Sequence, residues 1–289
     1  MNSEANMQNK DIPIMILAGG RGTRLMDETS EIPKPMVTVG GKPILLHLME
    51  ETREIPKPMV TIGGKPILLH LMQYYSRFGF RKFIVCLGYK GEVIKEYFLN
   101  VRERTSTVRL HAGGKVEYET GPAGEWDIVL AETGEHSLTA TRILRAAKYG
   151  EAPLFGPTYG DGLSDVDLNA ELAFHRAHGK IGTMAAVHPP SRFGMMELGS
   201  DGQVVAFREK EKLHNDYING GFFFFQKEFI ARLPADQNLS LESEPLTKLA
   251  ADGQLFAFRH EGFWGCMDTL RDRENLEKIY ESGQAPWAG

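Results

Sequence analysis

The chain has only two cysteines, Cys86 and Cys266, in 289 residues. Both lie in apolar surroundings, which fits a reducing compartment better than a disulfide framework, and no zinc-ligand spacing exists. An excess of positive charge is also missing, with Lys+Arg 33 against Asp+Glu 38, so no sequence-wide field collects nucleic acid or anionic lipid. We therefore expect neither a nucleic acid nor a membrane as partner, and any phosphate site must be local. No apolar run approaches the length that spans a bilayer, and the opening MNSEANMQNKD lacks the apolar core of a signal peptide. The expectation is a cytoplasmic protein with a disordered tail over 1–11. Two familiar phosphate motifs are absent as well: the Gly-Lys-Ser/Thr ending of a P-loop, and the last glycine of the GxGxxG fingerprint.

What the chain does contain is a short apolar run, Ile14 to Leu17, that stops at Ala18-Gly19-Gly20-Arg21-Gly22-Thr23-Arg24. The run suits a strand buried on both faces of a parallel sheet. Glycines let backbone amides approach a ligand closely, and a turn leading into a helix presents unpaired N–H groups to an anion. The alternative is a tight strand-to-helix turn with an exposed arginine. Beyond it the alternation continues: a strand over Lys82 to Leu87, a helix over 91–99, a strand over 126–132 and a helix over 138–148. Thr158-Tyr-Gly-Asp161-Gly then sits where open α/β sheets place ligands. A helix ends near His178, with Asp165 or Asp167 as its cap, and a strand over 183–187 comes next. A hairpin over 195–209, a phenylalanine-rich strand over 220–226, a helix over 244–251, a strand over 254–259 and a helix over 269–281 complete the pattern, while 100–125 reads as loop with one strand near Arg109. Strands separated by helices predict a mostly parallel, doubly wound α/β sheet in a single domain over 12–289.

A tandem repeat interrupts this order. Residues 28–50 and 51–73 are identical except at Ser30/Arg53, Val39/Ile62 and Glu50/Gln73. Two units do not make a solenoid, so one is surplus. Physical continuity favours the second copy as the native helix, because it runs without interruption through Gly79 into the strand at Lys82. Surplus length in a surface loop costs only about 0.6 kcal/mol per doubling.

LAGGRGTRL, PKPM, GGKPIL, GYKGEVIKEYF, TYGDG, SDVD, PPSRFG, FREK, INGGFF, EPL and FWGCMDTLRD occur in this order, and their ordered set resembles the sugar-phosphate nucleotidyltransferases over nearly all of 13–287. GYKGEVIKEYF, FWGCMDTLRD and the GQAPW ending resemble the cytidylyl branch most. The resemblance implies a Rossmann-like nucleotidyltransferase fold, a mostly parallel mixed sheet with helices on both faces. It implies attack of glucose 1-phosphate on the α-phosphorus of CTP, giving CDP-glucose and pyrophosphate, in a homo-oligomer that uses Mg²⁺. Such chemistry asks mainly for alignment and charge neutralisation.

Carried over residue by residue, the resemblance implies that amides of Leu17, Ala18, Gly19, Gly20, Arg21, Gly22 and Thr23 cradle the nucleotide, together with Ser137, Arg142 and Gly160. Arg24 would offset charge on the pyrophosphate, and Lys34 or Lys57 would sit over the phosphates. Asp161 and Asp268 would hold Mg²⁺, which favours one or two carboxylates plus phosphate oxygens and water. Glu209, Lys210, Asn219 and Gly220, in a hairpin region around 190–226, would take the sugar phosphate. His136 and His188 are read as structural. Competing readings are a thymidylyl- or uridylyltransferase on the same fold, and a non-catalytic regulatory subunit. One departure is Gly156-Pro157 before TYGDG, which predicts that the strand ends at Phe155 or carries a bulge.

Overall fold

The computed structural model describes residues 8–20, 38–39, 42–43, 55–119, 125–189, 195–198, 200, 202–208 and 216–288. In chain order its elements begin with β1 (Pro13–Leu17), the small hairpin strands β2 (Thr38–Val39) and β3 (Lys42–Pro43), then β4 (Thr61–Ile62) and β5 (Lys65–Pro66). These lead to α1 (Ile67–Arg77), β6 (Lys82–Leu87), α2 (Gly91–Leu99), α3 (Val101–Thr105), β7 (Val108–Leu110), β8 (Val116–Tyr118) and β9 (Asp127–Glu132). The middle of the chain forms α4 (Thr139–Ala146), β10 (Leu154–Tyr159), β11 (Gly162–Ser164), α5 (Leu168–His178), β12 (Gly182–Val187), β13 (Met195–Leu198) and β14 (Val204–Arg208). Last come β15 (Ile218–Gln226), α6 (Glu228–Ala231), α7 (Glu244–Ala251), β16 (Leu255–His260), β17 (Trp264–Cys266) and α8 (Leu270–Glu281).

Seven strands form one sheet in the order β16-β12-β15-β10-β1-β6-β9. All neighbours pair in parallel except β15, which runs antiparallel to both β10 and β12, so the sheet is mixed but mostly parallel, as expected. The strand period of two divides its side chains between two layers. Ile14, Ile16, Phe83, Val85, Phe222 and Phe224 face a core that includes Leu68 and Leu71 of α1, Leu172 of α5 and Leu276 of α8. Met15, Leu17, Ile84, Cys86, Phe223 and Phe225 face the other, with Ile143 of α4, Phe229 of α6 and Leu249 of α7. The four consecutive phenylalanines thus serve both faces.

Gly156 and Pro157 do not end β10. It pairs with β1 from Gly156 to Tyr159 and with β15 at Leu154, Phe155 and Thr158, and neither register shifts. Space explains the glycine: a Cβ there would lie 2.8 Å from Ile14 Cδ1 and 3.2 Å from the Phe223 carbonyl oxygen. A second correction concerns 100–125, where α3 and the hairpin β7–β8 stand in place of a loop with one strand. A third concerns the tail. Asn9–Asp11 form a 3-10 turn, and Asn9 Nδ2 donates to Phe78 O and Asn169 Oδ1, each at 2.7 Å. The end of α1 needs donors for its last carbonyls, and this residue supplies one.

The second repeat copy provides α1, with Leu68 and Leu71 0% and 1% exposed. Leu45 and Leu48 of the first copy lie outside the described residues. Both copies fold one element alike: Thr38 pairs with Pro43 and Val39 with Lys42, as Thr61 does with Pro66 and Ile62 with Lys65. Deleting 28–50 should therefore preserve the fold and retain or raise turnover, checked by circular dichroism and a pyrophosphate-release assay. Loss of the folded signal would show that the first copy is structural.

Glu171 of α5 is fully buried, and neither carboxylate oxygen has a hydrogen-bond partner among the described residues. Burial raises its pKa from 4.5 to about 8. The folded state then keeps a proton that the unfolded chain releases, so this contribution to stability is full below the unfolded value and disappears as pH rises towards the folded one. Glu171→Gln stays neutral throughout. We expect it to leave the melting temperature nearly unchanged at acidic pH and to raise it by roughly 3 °C or more at alkaline pH; a constant difference across that range would refute the assignment.

Candidate active site

β1 lies between β10 and β6, so the chain leaves its carboxyl end at the point where the strand order reverses. That is where an open α/β sheet leaves a crevice. Leu17 is level with Tyr159, and Gly160 N–H donates to Leu17 O at 3.2 Å. Gly160 has no room for a side chain, because a Cβ would stand 2.9 Å from Leu17 O and 3.2 Å from Pro58 Cγ. This close approach seats the 3-10 turn Lys57–Met59 over the end of β10.

From that turn the Lys57 ammonium reaches Asp161 Oδ2 and Asp268 Oδ1, both at 2.6 Å. The carboxylates converge because β11 pairs antiparallel with β17, Gly162 opposite Cys266, and Met267 N–H donates to Asp161 O at 3.0 Å. Asp268 directly precedes α8, whose first turn is closed by a capping box between Thr269 and Asp272. Burial by itself would lower the Lys57 pKa, but attraction to Asp161 and Asp268 prevails and holds it above its ordinary value. Its ammonium marks a place where two carboxylates already accommodate a cation. Two such groups with room for phosphate oxygens suit Mg²⁺, and among the described residues no cluster of three or more His, Cys, Asp or Glu offers a fully protein-built cage.

A cavity of about 1160 Å³ opens over this pair, walled by Gly19, Gly20, Ser137, Arg142, Gly160 and Asn219 among others. Of the expected site residues, Leu17 also lines it, but Ala18 and Gly220 do not. Ala18 is buried with its N–H on Cys86 O at 3.2 Å, and the Gly220 carbonyl accepts Trp264 Nε1 at 2.7 Å. Arg21, Gly22, Thr23, Arg24, Lys34, Glu209 and Lys210 lie outside the described residues.

Arg142 occupies the wall in an unexpected manner. It is 3% exposed and donates to Leu87 O and Thr133 Oγ1 (both 2.9 Å), Gly19 O (2.8 Å) and Glu135 O (3.2 Å). Its guanidinium ties the carboxyl ends of β1 and β6 to the segment after β9. Gly19 and Gly88 make this possible, since a Cβ would come within 2.2 Å and 2.3 Å of the guanidinium. Ser137 Oγ likewise donates to Thr133 O at 2.6 Å and accepts from Arg145 at 2.9 Å.

His188 bonds the Asp216 carbonyl and Glu261 away from the cavity, in keeping with a structural role. Cys86 is buried in the sheet, whereas Cys266 lines the cavity and its thiol donates to Asp268 Oδ2 at 3.4 Å. Burial and then Asp268 push that thiol up to about 12, so it stays protonated. Cys266→Ser keeps a donor at the same place. We expect its turnover and Mg²⁺ dependence to stay within about threefold of the parent, and a complete loss in a folded variant would reveal a role for sulfur.

Among the cavity residues that sequence reasoning passed over are Tyr159 and Glu242. Tyr159 is part of the TYGDG string but not of any familiar phosphate chemistry, and Glu242 lies in a polar stretch without periodicity.

A family model described as nucleotidyl transferase matches residues 14–53 and 48–269. The two stretches overlap around the junction of the repeat copies, as expected where a motif occurs twice. Glucose-1-phosphate cytidylyltransferase of Salmonella typhimurium is 46% identical over 94% of this chain and 97% of its own. The protein of the same name from Salmonella typhi matches to the same extent. The crystal structure of HddC from Yersinia pseudotuberculosis superposes with a TM-score of 0.59 at 24% identity, covering 93% of this chain and 99% of that one, a likeness of fold. With a crevice at the strand-order reversal, a lysine between two carboxylates and matches over almost its whole length, this chain belongs to the nucleotidyl transferase family.

Proposed function

We propose that the protein transfers a cytidylyl group from CTP to glucose 1-phosphate. The observation that carries the reading is the Lys57 ammonium held between Asp161 and Asp268 beside the glycine turn, in a cavity large enough for a nucleotide and a sugar phosphate. The substrates follow from the 46% identity to proteins named for that activity. A phosphate oxygen of glucose 1-phosphate forms the new bond to the α-phosphorus while the bond to the β-phosphate bridging oxygen breaks, and pyrophosphate carries away the electron pair.

The chain's part is to align and neutralise. Amides of the glycine turn face the nucleotide, Arg142 anchors the start of that turn at the Gly19 carbonyl, and Arg24 offsets the leaving pyrophosphate. Lys57 stands over the phosphates, while Asn219, with Glu209 and Lys210, takes the sugar phosphate. Asp161 and Asp268 would hold Mg²⁺, which when bound supplies charge stabilisation to the transferring phosphoryl group. A cytoplasmic location is the reading that its two free cysteines support. No helix among the described residues is long and apolar enough to cross a membrane. A homo-oligomer is supported by the hairpin β7–β8, which leaves Val108, Leu110 and Val116 exposed on one face.

The test is pyrophosphate release from each of the four nucleoside triphosphates with glucose 1-phosphate and Mg²⁺. CTP should exceed the others by at least about tenfold in kcat/KM. Preference for another triphosphate would overturn the base assignment, and binding without release would overturn the activity.

A further inference from the structure

Two residues at the cavity wall, Tyr159 and Glu242, have no part in the chemistry described above. The Tyr159 hydroxyl at the end of β10 donates to Glu242 Oε1, and Glu242 Oε2 accepts from Thr139 Oγ1 at 3.0 Å and from Ser240. The same phenol accepts from Asn219 Nδ2 at 3.0 Å, and Asn219 Oδ1 in turn accepts Gly221 N–H at 2.9 Å.

The direction of each bond in this chain is fixed. An ionised carboxylate only accepts, so the phenol must donate to it, and the phenol's remaining lone pair then selects the amide nitrogen of Asn219. Gly221 N–H selects the amide oxygen. The carboxamide is thereby held in one of its two orientations, with one N–H and one lone pair left for a hydroxyl in the cavity.

The surroundings are built for this arrangement. Glu242 belongs to a loop that caps α4: Leu138 N–H donates to Asn238 Oδ1 at 2.8 Å, Ala140 N–H to Leu239 O at 3.0 Å, and Leu241 N–H to Thr139 Oγ1 at 2.6 Å. The first turn of α4 carries positive dipole charge, which suits a carboxylate there. Burial opposes ionisation of Glu242, but hydrogen bonds from Ser240, Tyr159 and Thr139 outweigh it and hold its pKa below the ordinary value. The Tyr159 ring packs edge-on to Phe223, and Gly221 makes room for it, since a Cβ there would lie 2.4 Å from Tyr159 Cδ2.

We propose that Glu242, acting through the Tyr159 hydroxyl, is the positioning residue that orients the Asn219 carboxamide towards a hydroxyl of the sugar 1-phosphate. This rests on the function proposed above. Through Asn219 the pair acts on the sugar side of the cavity, so it governs sugar affinity and leaves nucleotide binding alone.

Tyr159→Phe keeps the ring and removes the relay. Steady-state kinetics should show KM for glucose 1-phosphate raised at least about fivefold, with KM for CTP and kcat within about twofold, the pattern of lost uniform binding. Glu242→Ala should reproduce this split and Glu242→Gln, which retains an acceptor for the phenol, should restore most of the affinity. The variant Asn219→Ala combined with Tyr159→Phe should be no worse than Asn219→Ala alone, because both act on one contact. Equal effects on both substrates, or additive effects of the two substitutions, would overturn the proposal. Calorimetric binding of glucose 1-phosphate to the parent and to Tyr159→Phe gives a readout independent of turnover. If the parent binds the sugar phosphate but releases no pyrophosphate, the function reading fails while weaker binding by Tyr159→Phe still supports the relay. If the parent does not bind it, or both bind alike, the relay fails.

Discussion

We expect Lys57→Met to lower turnover by about a hundredfold or more, and the same change at Lys34 to alter it by less than about threefold. The magnitude is that of removing a preorganised charge from a site where phosphate charge develops. The difference between the lysines follows from the seat of Lys57, 2.6 Å from each carboxylate, which has room for one ammonium group. Methionine replaces the apolar stem as far as Cε and omits the ammonium, so the effect reports mainly charge. Thermal melts should show that Lys57→Met remains folded, with a larger stabilisation by added Mg²⁺ than the parent, because the metal no longer competes with an internal cation. Equal losses from the two substitutions would mean that both repeat copies supply the site in turn.

Asp161→Asn and Asp268→Asn should each lower kcat/KM by at least tenfold and raise the Mg²⁺ concentration needed for half-maximal activity. A neutral amide cannot balance a divalent ion beside phosphates. Each substitution also removes one of the two partners of Lys57, so its ammonium should rest on the remaining carboxylate. The double variant should lose little beyond the more severe single one, since the two carboxylates act as a unit. Near-normal turnover in either folded single variant would remove that residue from the metal site.

Much of the fold could be read from the chain because its elements are buried on both faces or strictly periodic. Lys82–Leu87 and Gly91–Leu99 fall where apolar pattern placed them. Gly156-Pro157 did not, since a rule about isolated strands ignores what neighbours require: the glycine there makes room for Ile14 and Phe223 from the flanking strands. Asp161 and Asp268 were legible from the ordered motifs, but their convergence on Lys57 depends on the pairing of β11 with β17, which joins residues a hundred positions apart. Arg142 lines the cavity, but its bonding was illegible, because backbone carbonyls carry no sequence signal. Tyr159 and Glu242 were missed for the same kind of reason: their partnership is made by a loop that caps a helix elsewhere in the chain.

The repeat has a consequence for how the molecule reaches its native state. Since both copies can form the same small hairpin, the hairpin cannot tell them apart, and the first copy leaves the ribosome earlier. The residues on the carboxyl side of the second copy decide: Tyr74, Tyr75 and Phe80 are buried in the core, and Tyr74 donates its hydroxyl to Val166 O at 2.6 Å. The first copy is succeeded instead by Glu51-Thr52-Arg53, which cannot fill that space. A nascent chain that has exposed only the first copy therefore holds a decoy, able to form the same small hairpin and wrong in its continuation. Commitment to the native sheet must wait until the aromatic residues after position 73 have emerged.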